Sequence, residues 1–277
     1  SGLQFLGSLQ QFCSSVLRDH AEADFAAQPE AEALTEEFKT DVRPHVWRER
    51  LDRARDVVER SKAYRYNRFY QRFVAEQNYV RAIPAVEARR QEWETVAAAK
   101  QPKDESRLKL DPNLPIPRWY EGVEWHLEPG GWDGYDLVMP MFMAGIGPYV
   151  FSLGGYAAVD VNCDIRSQRK NVLSEFRRRD FKRIYEAGCG GATTLGVAKQ
   201  LFPQAELIGG DLSAALLKNG HFVSEMMGLG ITFRQEDAVK VAEADNSVDA
   251  VISYAVHHEM PPGVSEAMLY PEPWIKN

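Results

Sequence analysis

The sequence predicts an α/β fold, in which a helical N-terminal region precedes a parallel sheet in the C-terminal part of the chain. Two observations support this prediction. From about Phe181 onward, short apolar segments alternate with helical segments, which is typical of strands in a parallel sheet. Before about residue 100, apolar residues recur at helical spacing, as in the segment WRERLDRARDVVER. The 277 residues suffice for one large domain or two smaller ones.

The helical region carries an aromatic stripe with steps of three, one and three residues: Tyr66, Phe69, Tyr70 and Phe73. Such a stripe can line a substrate pocket, but packing against a neighbouring helix is the more common arrangement, and we favour it. Pro84 suits the first turn of a helix, so we predict that a new helix begins there.

We divide the chain into a helical domain over residues 1–110, a connector over 111–160 and a sheet-bearing domain over 161–277. The connector interleaves aromatic residues with glycines, a composition that suits a ligand pocket with polar groups or, alternatively, an irregular packed segment. From it we select Trp132, Tyr135, His126 and Tyr149 as candidate substrate-binding residues.

The sheet-bearing segment contains four predicted strands, at about 183–187, 206–211, 231–237 and 248–254. The first runs into the loop Gly188-Cys189-Gly190-Gly191, and a helix follows it. The second ends at Asp211, which lies about 20 residues beyond the loop, as expected for a nucleotide-binding plan. A glycine loop alone is weak evidence, but the whole arrangement of strand, loop, helix, strand and acid is considerably stronger.

Glu186 indicates which nucleotide is bound. A carboxylate at the mouth of the loop would repel a dinucleotide pyrophosphate by about 4 kcal/mol at about 4 Å and an effective dielectric near 20. S-adenosylmethionine carries no phosphate, and both its ammonium and its sulfonium are positive. We therefore expect this cofactor, with S-adenosylhomocysteine as its product.

These residues resemble the class I S-adenosylmethionine-dependent methyltransferases over about Arg183–Pro262. The resemblance implies a Rossmann-like sheet. It also implies that the acid–x–Gly–x–Gly loop cradles the methionine part of the cofactor, that Asp211 binds the ribose hydroxyls, and that Asp237 binds the adenine amino group. Ala192 departs mildly from a third glycine that is common in the family. The cofactor-binding residues expected from the resemblance are Glu186, Gly188, Cys189, Gly190, Asp211, Leu212, Asp237, Ala238 and Tyr254.

Tyr254, His257 and His258 lie at or just after the end of the fourth strand. In the resembled family, residues at this position face the cofactor and the acceptor, so these three are the candidate catalytic residues. A histidine there can act as a base because it titrates near neutral pH. A structural histidine is the alternative that we favour. Asp211 and Asp237 can likewise be turn formers at strand ends, and Cys189 is interpreted as a small apolar spacer.

The composition and the charge of the chain indicate which binding partners and which cell compartment to expect. The net charge of −7 disfavours nucleic acid, and the basic cluster between Arg166 and Arg179 is interpreted as a solvated helix face. The three cysteines form no close pair, so we expect neither disulfides nor a metal site. We find no signal peptide and no membrane span, and therefore expect a cytoplasmic protein. A small-molecule acceptor is the expected partner, and the sequence permits a homodimer.

The leading functional hypothesis is a methyltransferase that acts on oxygen, nitrogen or carbon of a small molecule. A second hypothesis is a regulatory or scaffold protein that binds S-adenosylmethionine or its product without transferring methyl. A third is a dehydrogenase with a divergent loop, which Glu186 disfavours.

The C-terminal end leads to a further expectation. The resembled family builds a seven-stranded sheet, and Met260–Asn277 are too few to supply the missing helix and three strands. We therefore expect an incomplete catalytic domain, whose fourth strand forms an exposed edge. A junction near Met268 and Leu269 is favoured over a truncated chain or a partner chain that completes the sheet.

Overall fold

The structure, a computed structural model, describes residues 2–40, 44–99, 104–155 and 165–269. Its backbone divides into two compact units. The first comprises Ser1–Ala85 and Met143–Asp164, and the second comprises Val86–Phe142 and Ile165–Asn277. This division differs from the boundaries expected near residues 110 and 160, because residues 86–110 and most of the connector group with the sheet-bearing segment.

The first unit is helical, as predicted for the N-terminal region. Its helices are α1 (Gly2–Phe12), a π-helical turn (Cys13–Leu17), α2 (Arg18–Ala26), α3 (Ala31–Thr40), α4 (Pro44–Val58) and most of α5 (Lys62–Glu87), with all but the first residue of a second π-helical segment (Phe142–Gly155). Leu6, Cys13 and Val74 are among its buried side chains. Every helix in the described residues is too short or too polar to span a membrane.

One sequence prediction about α5 needs correction. Pro84 lies inside α5, and the next helix begins only at Arg90. The helix continues although proline cannot donate a backbone hydrogen bond, and burial of Tyr79 and Ala82 just before it holds this part of the helix by packing.

The aromatic stripe of α5 faces a neighbouring helix, as predicted, but it is not closely packed. It borders an apolar groove of about 390 Å³. Phe69 is 63% exposed at this groove. The groove is lined by Phe5, Leu9, Phe12, Phe69, Tyr70 and Phe73.

The second unit alternates strands and helices. Its elements are α6 (Arg90–Ala99), β1 (Leu108–Lys109), α7 (Val138–Met141), α8 (Ile165–Ser174), β2 (Arg183–Ala187), α9 (Thr193–Leu201), β3 (Glu206–Asp211), α10 (Ala214–Met227), β4 (Thr232–Gln235), β5 (Ala250–Ser253) and α11 (Pro262–Leu269), with 3₁₀ turns at Glu105–Arg107, Gly131–Asp133 and His257–Glu259.

The five strands form one parallel sheet in the order β1-β4-β3-β2-β5. β2 lies next to the edge strand and pairs with β3 on one side and β5 on the other, so that Tyr185 lies opposite both Ile208 and Val251. The four predicted strands are β2 to β5, and the predicted parallel sheet is confirmed. β1 was missed, because its two residues fall in the range assigned to the helical domain.

Local sequence explains how α10 begins and ends. The Ser213 hydroxyl accepts a hydrogen bond from the Leu216 amide at 3.1 Å and so caps the N-terminus. Gly228 adopts a left-handed conformation at the C-terminus, as is common after helices. The helices and the sheet enclose an apolar core that includes Leu195, Phe202, Leu207, Leu217, Ile231 and Phe233.

β5 is an edge strand among the described residues, and Val251 in it is 58% exposed. The expectation of an exposed fourth strand is therefore confirmed for this part of the chain. α11 runs without interruption through the expected junction between Met268 and Leu269. Residues 270–277 lie outside the described residues.

Candidate functional site

The predicted cofactor loop lies at the carboxyl ends of the parallel strands. The amides of Gly188 and Cys189 both donate to the Gly210 carbonyl, at 2.9 and 3.0 Å. These two bonds hold the loop against the end of β3. In open parallel sheets, ligands usually bind at the carboxyl ends of the strands, next to the point where the strand order reverses.

Positive φ angles shape the loop. Gly188 has φ +68°, and a Cβ at this position would collide with the Val256 side chain, so only glycine fits. Ala192, which precedes α9, has φ +61° although it carries a Cβ. The left-handed conformation costs an L-residue about 1–2 kcal/mol. This cost explains why a glycine suits the position of Ala192.

Asp211 joins the loop to the start of α10. Its Oδ2 accepts from the Gly190 amide and its Oδ1 from the Ser213 amide, each at 2.8 Å. Burial raises the pKa of Asp211 to about 6; the two amide hydrogen bonds oppose this shift, and the charges of Asp133 and Glu259 add to it. The residue is thus a turn former, as one interpretation expected, and also an ionisable group beside the loop.

Glu186 is a buried carboxyl group directly before the loop. Its side chain is 1% exposed, and its Oε2 atom has no hydrogen-bond partner. Burial raises the pKa of Glu186 to about 8, although a hydrogen bond from Thr194 and the charge of Arg169 act in the opposite direction. An unpartnered buried carboxylate oxygen is costly, so this position favours a cationic ligand.

Arg169 connects α8 to the site. Its guanidinium lies 4.5 Å from the centre of the Tyr254 ring, within the range of a cation–π interaction. Its Nε donates to the Thr194 hydroxyl at 3.0 Å. The basic cluster on this helix is therefore not only a solvated face, and Tyr254 lies beside the residues that surround Glu186.

The remaining predicted cofactor residues lie at or beside the ends of β2, β3 and β4. Asp237 forms a turn in which its Oδ1 accepts from the Val239 amide at 3.0 Å. Ala238 packs against the small cluster around Tyr185 and is partly buried. Leu212 and Cys189 are buried. Burial raises the pKa of the Cys189 thiol, which agrees with its interpretation as an apolar spacer.

Asp133 was not selected from the sequence, although it stands between the selected Trp132 and Tyr135. Its Oδ1 accepts from the Ser213 hydroxyl at 2.9 Å and from the Ala215 amide at 3.1 Å. Its Oδ2 accepts from the Tyr120 hydroxyl at 3.0 Å. Asp133 therefore links the connector to the N-terminus of α10, beside Asp211.

An aromatic cluster adjoins Asp133. Trp119, Tyr120 and Trp125 lie with ring centres 6.0–6.3 Å apart. Burial, together with the charges of Asp133 and Asp211, raises the pKa of the Tyr120 hydroxyl. The cluster thus places an apolar surface with one polar end close to the candidate cofactor acid.

A second polar cluster brings together His126, Trp132, His258 and Glu259. The Nε2 of His126 lies 3.0 Å from Glu259 Oε1, and the Nε2 of His258 lies 3.5 Å from the same oxygen. Trp132 Nε1 donates to Glu259 Oε2 at 2.9 Å. The hydrogen bond with Glu259 raises the pKa of His126. Glu259 was not selected from the sequence, and this convergence was not foreseen.

His257 occupies a different environment from His258. Its Nε2 lies 2.6 Å from the Ser253 hydroxyl, and its Nδ1 lies 2.7 Å from the Ser265 hydroxyl. The ring therefore bridges the end of β5 and α11 with both nitrogens engaged. This geometry favours the structural interpretation of His257 over a catalytic one.

Two predicted substrate residues lie elsewhere. Tyr135 donates its hydroxyl to Glu87 at 2.7 Å, beside the ion pair of Arg90 and Asp136. Tyr149 belongs to the first unit, where it is 38% exposed. Residues 156–160, at the end of the connector, lie outside the described residues. A role in acceptor binding for Tyr135 and Tyr149 stays a prediction.

Comparison with protein families identifies the sheet-bearing segment. Residues 184–270 match the family described as "Methyltransferase domain". This match covers less than half of the chain. The predicted resemblance to class I S-adenosylmethionine-dependent methyltransferases is thereby confirmed, and the matched range contains β2 to β5 and the acid–glycine loop. A comparison with curated proteins gave no match.

Solved structures are similar to part of the chain. The YcgJ protein from Bacillus subtilis is 20% identical with a TM-score of 0.32, over 37% of this chain and 44% of that chain. The magnesium protoporphyrin IX methyltransferase from Synechocystis, solved with bound S-adenosylmethionine, is 19% identical with a TM-score of 0.31, over 38% of this chain and 51% of that chain. The chain thus spans about half the length of these proteins or less.

Proposed function

We propose that the protein is an S-adenosylmethionine-dependent methyltransferase that acts on a small-molecule acceptor. One observation carries the proposal: two carboxyl groups, the buried Glu186 and the half-buried Asp211, flank a glycine loop at the end of a parallel sheet. The family match over residues 184–270 supports the same function.

The residues present fit this cofactor. The unpartnered Oε2 of Glu186 suits the ammonium of the methionine part. Burial raises the pKa of this carboxyl group, and a cationic ligand would favour its ionised form. A Cβ at Gly190 would meet only Leu216, at 3.9 Å, so the loop leaves space on this side. A pyrophosphate would gain nothing from Glu186, whose neutral form is favoured, and would be repelled by the charge of Asp211, which disfavours a dehydrogenase.

When bound, S-adenosylmethionine supplies a methyl group activated by the positive sulfur. The protein's residues would then serve mainly to hold acceptor and donor in line, which is a large part of catalysis in bimolecular transfers. Glu186 and the loop would hold the methionine part, Asp211 the ribose, and Asp237 with Ala238 the adenine. Leu212 and Cys189 would provide apolar contacts.

The acceptor site is assigned to the connector. The aromatic cluster of Trp119, Tyr120 and Trp125 offers a stacking surface beside Asp211, and a planar or amphipathic small molecule fits such a surface. The net charge of −7 disfavours a nucleic-acid acceptor. A cytoplasmic location and a homodimer belong to the same proposal.

Deprotonation of an acceptor is assigned to the cluster around Glu259 rather than to His257. Both ring nitrogens of His257 are engaged with serine hydroxyls, whereas the His258 side chain is 55% exposed and the His126 side chain 48% exposed. Exposed imidazoles next to a carboxylate can reach an acceptor hydroxyl. Tyr254, whose ring faces Arg169, is proposed to shape the site rather than to act as a base.

Calorimetry with S-adenosylhomocysteine tests the cofactor assignment. Asp211→Ala removes the acceptor for two ribose hydroxyls and should weaken binding by about 1–3 kcal/mol. Asp245→Ala, at an exposed acid away from the loop, is the matched control and should bind as the wild type does. Thermal melts of both variants establish that they are folded.

The wild type decides between the candidate functions. Absence of S-adenosylhomocysteine binding by the folded wild type would contradict the proposal. Binding without methyl transfer to any acceptor of a broad panel of phenols, amines and carboxylates would favour the regulatory or scaffold alternative. Binding of NAD instead would favour a dehydrogenase.

A further inference from the structure

The cluster around Glu259 has the composition of a metal site. The ligand atoms of His126, His258 and Glu259 all lie within 4.8 Å of one another. The sequence predicted no metal site because that expectation considered the cysteines alone. His126 is separated from the other two residues by more than 130 positions, so the sequence contains no ligand-spacing motif.

The distances agree with a shared ion. Ligands bound at about 2.0–2.1 Å to a tetrahedral ion lie about 3.3 Å apart. The two histidine nitrogens lie 3.0 and 3.5 Å from Glu259 Oε1, on either side of that value. The two imidazole ring centres are 5.5 Å apart, against about 5 Å expected for two histidines on one tetrahedral ion.

A simple hydrogen bond accounts for only part of this arrangement. The pair of His126 and Glu259 at 3.0 Å needs no metal. His258, however, places a second imidazole nitrogen 3.5 Å from the same oxygen, which is too long for a good hydrogen bond. Two imidazole nitrogens that converge on one carboxylate oxygen are better explained by a cation between them.

The surroundings favour a cation as well. Trp132 donates to Glu259 Oε2, which fixes the carboxylate and leaves Oε1 for the two histidines, as outer-shell donors do in metal sites. Glu128, which is 1% exposed, accepts from the His126 amide at 2.7 Å and adds negative charge. Both histidine side chains are about half exposed, so a fourth position is open to solvent.

We propose that His126, His258 and Glu259 bind one divalent transition-metal ion of the zinc class, with an open position for an oxygen ligand. Two histidines and one glutamate form a donor set that suits zinc in three-ligand sites. With the ion bound, both imidazole nitrogens are occupied, and the ion in place of a free imidazole would bind and polarise an oxygen of the acceptor, which favours loss of its proton. This use rests on the proposed methyltransferase function, whereas metal binding itself does not.

Cobalt titration tests the site directly. The full chain is freed of metal with EDTA, dialysed and titrated with Co²⁺, whose visible absorption reports coordination by protein ligands; Zn²⁺ then displaces it. We expect one equivalent of Co²⁺ to bind. His126→Ala, His258→Ala and Glu259→Gln should each weaken binding more than about tenfold, and Trp132→Phe by about tenfold.

His20→Ala, at an exposed histidine of the first unit, is the matched control and should bind as tightly as the wild type. Circular dichroism establishes that each variant is folded, and His258→Ala, at an exposed side chain, serves if His126→Ala unfolds. The proposal is overturned if the folded wild type gives no cobalt absorption, or if the ligand variants bind as tightly as His20→Ala. S-adenosylhomocysteine binding measured in EDTA tests the cofactor proposal separately.

Discussion

Glu186 is the residue on which the choice of ligand depends most. Its carboxyl group is buried, and burial raises its pKa to about 8, compared with about 4.3 for an exposed glutamate. The folded protein without ligand therefore favours the protonated form. By linkage, Glu186 contributes stability that is fully present below about pH 4 and is lost as the pH rises through about 8. A bound ammonium would reverse this preference.

The pH dependence of binding tests this role. If an ammonium binds the ionised carboxylate, the affinity for S-adenosylhomocysteine should rise by about tenfold per pH unit between pH 6 and 7 and level off above pH 8. Glu186→Gln should bind more weakly and show a flatter profile, because it cannot ionise. Calorimetry at pH 6, 7 and 8 measures both. An affinity of the wild type that does not change over this range would contradict the assignment.

At the residue scale, the sequence was informative where chemistry is local. Glu186 lies at the end of a strand directly before the loop of Gly188 and Gly190, and Asp211 ends the next strand, so spacing alone placed them together. Asp133 and Glu259 were missed because their partners lie far along the chain. Asp133 is 80 residues from Ser213, and a contact of that separation depends on how the connector folds, which no short pattern encodes.

At the element scale, the segment after β5 depends on His257. Ala255 adopts a left-handed conformation with φ +56° and turns the chain toward the 3₁₀ turn that holds this histidine. The ring then joins the Ser253 hydroxyl to the Ser265 hydroxyl. The His257 ring therefore helps to hold α11 against the end of the edge strand.

Removal of this bridge should affect stability more than chemistry. His257→Ala leaves two serine hydroxyls without their partner and should lower the free energy of unfolding by about 1–2 kcal/mol. His258→Ala, measured in EDTA, should change it by less than about 0.5 kcal/mol, because that side chain is exposed. Urea unfolding followed by circular dichroism compares the two. A fully stable His257→Ala variant that has lost turnover would instead identify His257 as a base.

The elements differ in how well sequence predicted them. β2 to β5 were placed within about two residues, because each is a short apolar run next to a glycine, an acid or a helix cap. β1 has only two residues, and it is a strand because Leu108 lies beside Phe233 of β4. That pairing is non-local, so the segment itself reads as a loop. Pro84 shows the converse, since packing around Tyr79 and Ala82 overrides a local helix-start signal.

At the scale of the whole molecule, the chain consists of a helical unit and a sheet-bearing unit, and every proposed cofactor residue lies in the second. The family match also falls entirely within that unit. A two-unit protein need not unfold in a single transition, so one midpoint does not describe it. Probes that report each unit are therefore required to locate the effect of a ligand.

The tryptophans provide such a probe. Four of the six lie among the described residues of the second unit: Trp93, Trp119, Trp125 and Trp132. Their fluorescence should follow mainly the unfolding of that unit, whereas far-ultraviolet circular dichroism reports the helices of both.

Ligand binding should then stabilise the unit that holds the site. At about 100 times its Kd, S-adenosylhomocysteine stabilises a folded unit by about 2.7 kcal/mol. For a unit of this size the fluorescence midpoint should rise by about 5–10 °C. Asp211→Ala, melted at the same ligand concentration, should show much less of this rise, because its affinity is lower, while Asp245→Ala should show all of it. A fluorescence midpoint that stays constant at saturating ligand would mean that the sheet-bearing unit does not hold the cofactor, whatever the circular dichroism signal does.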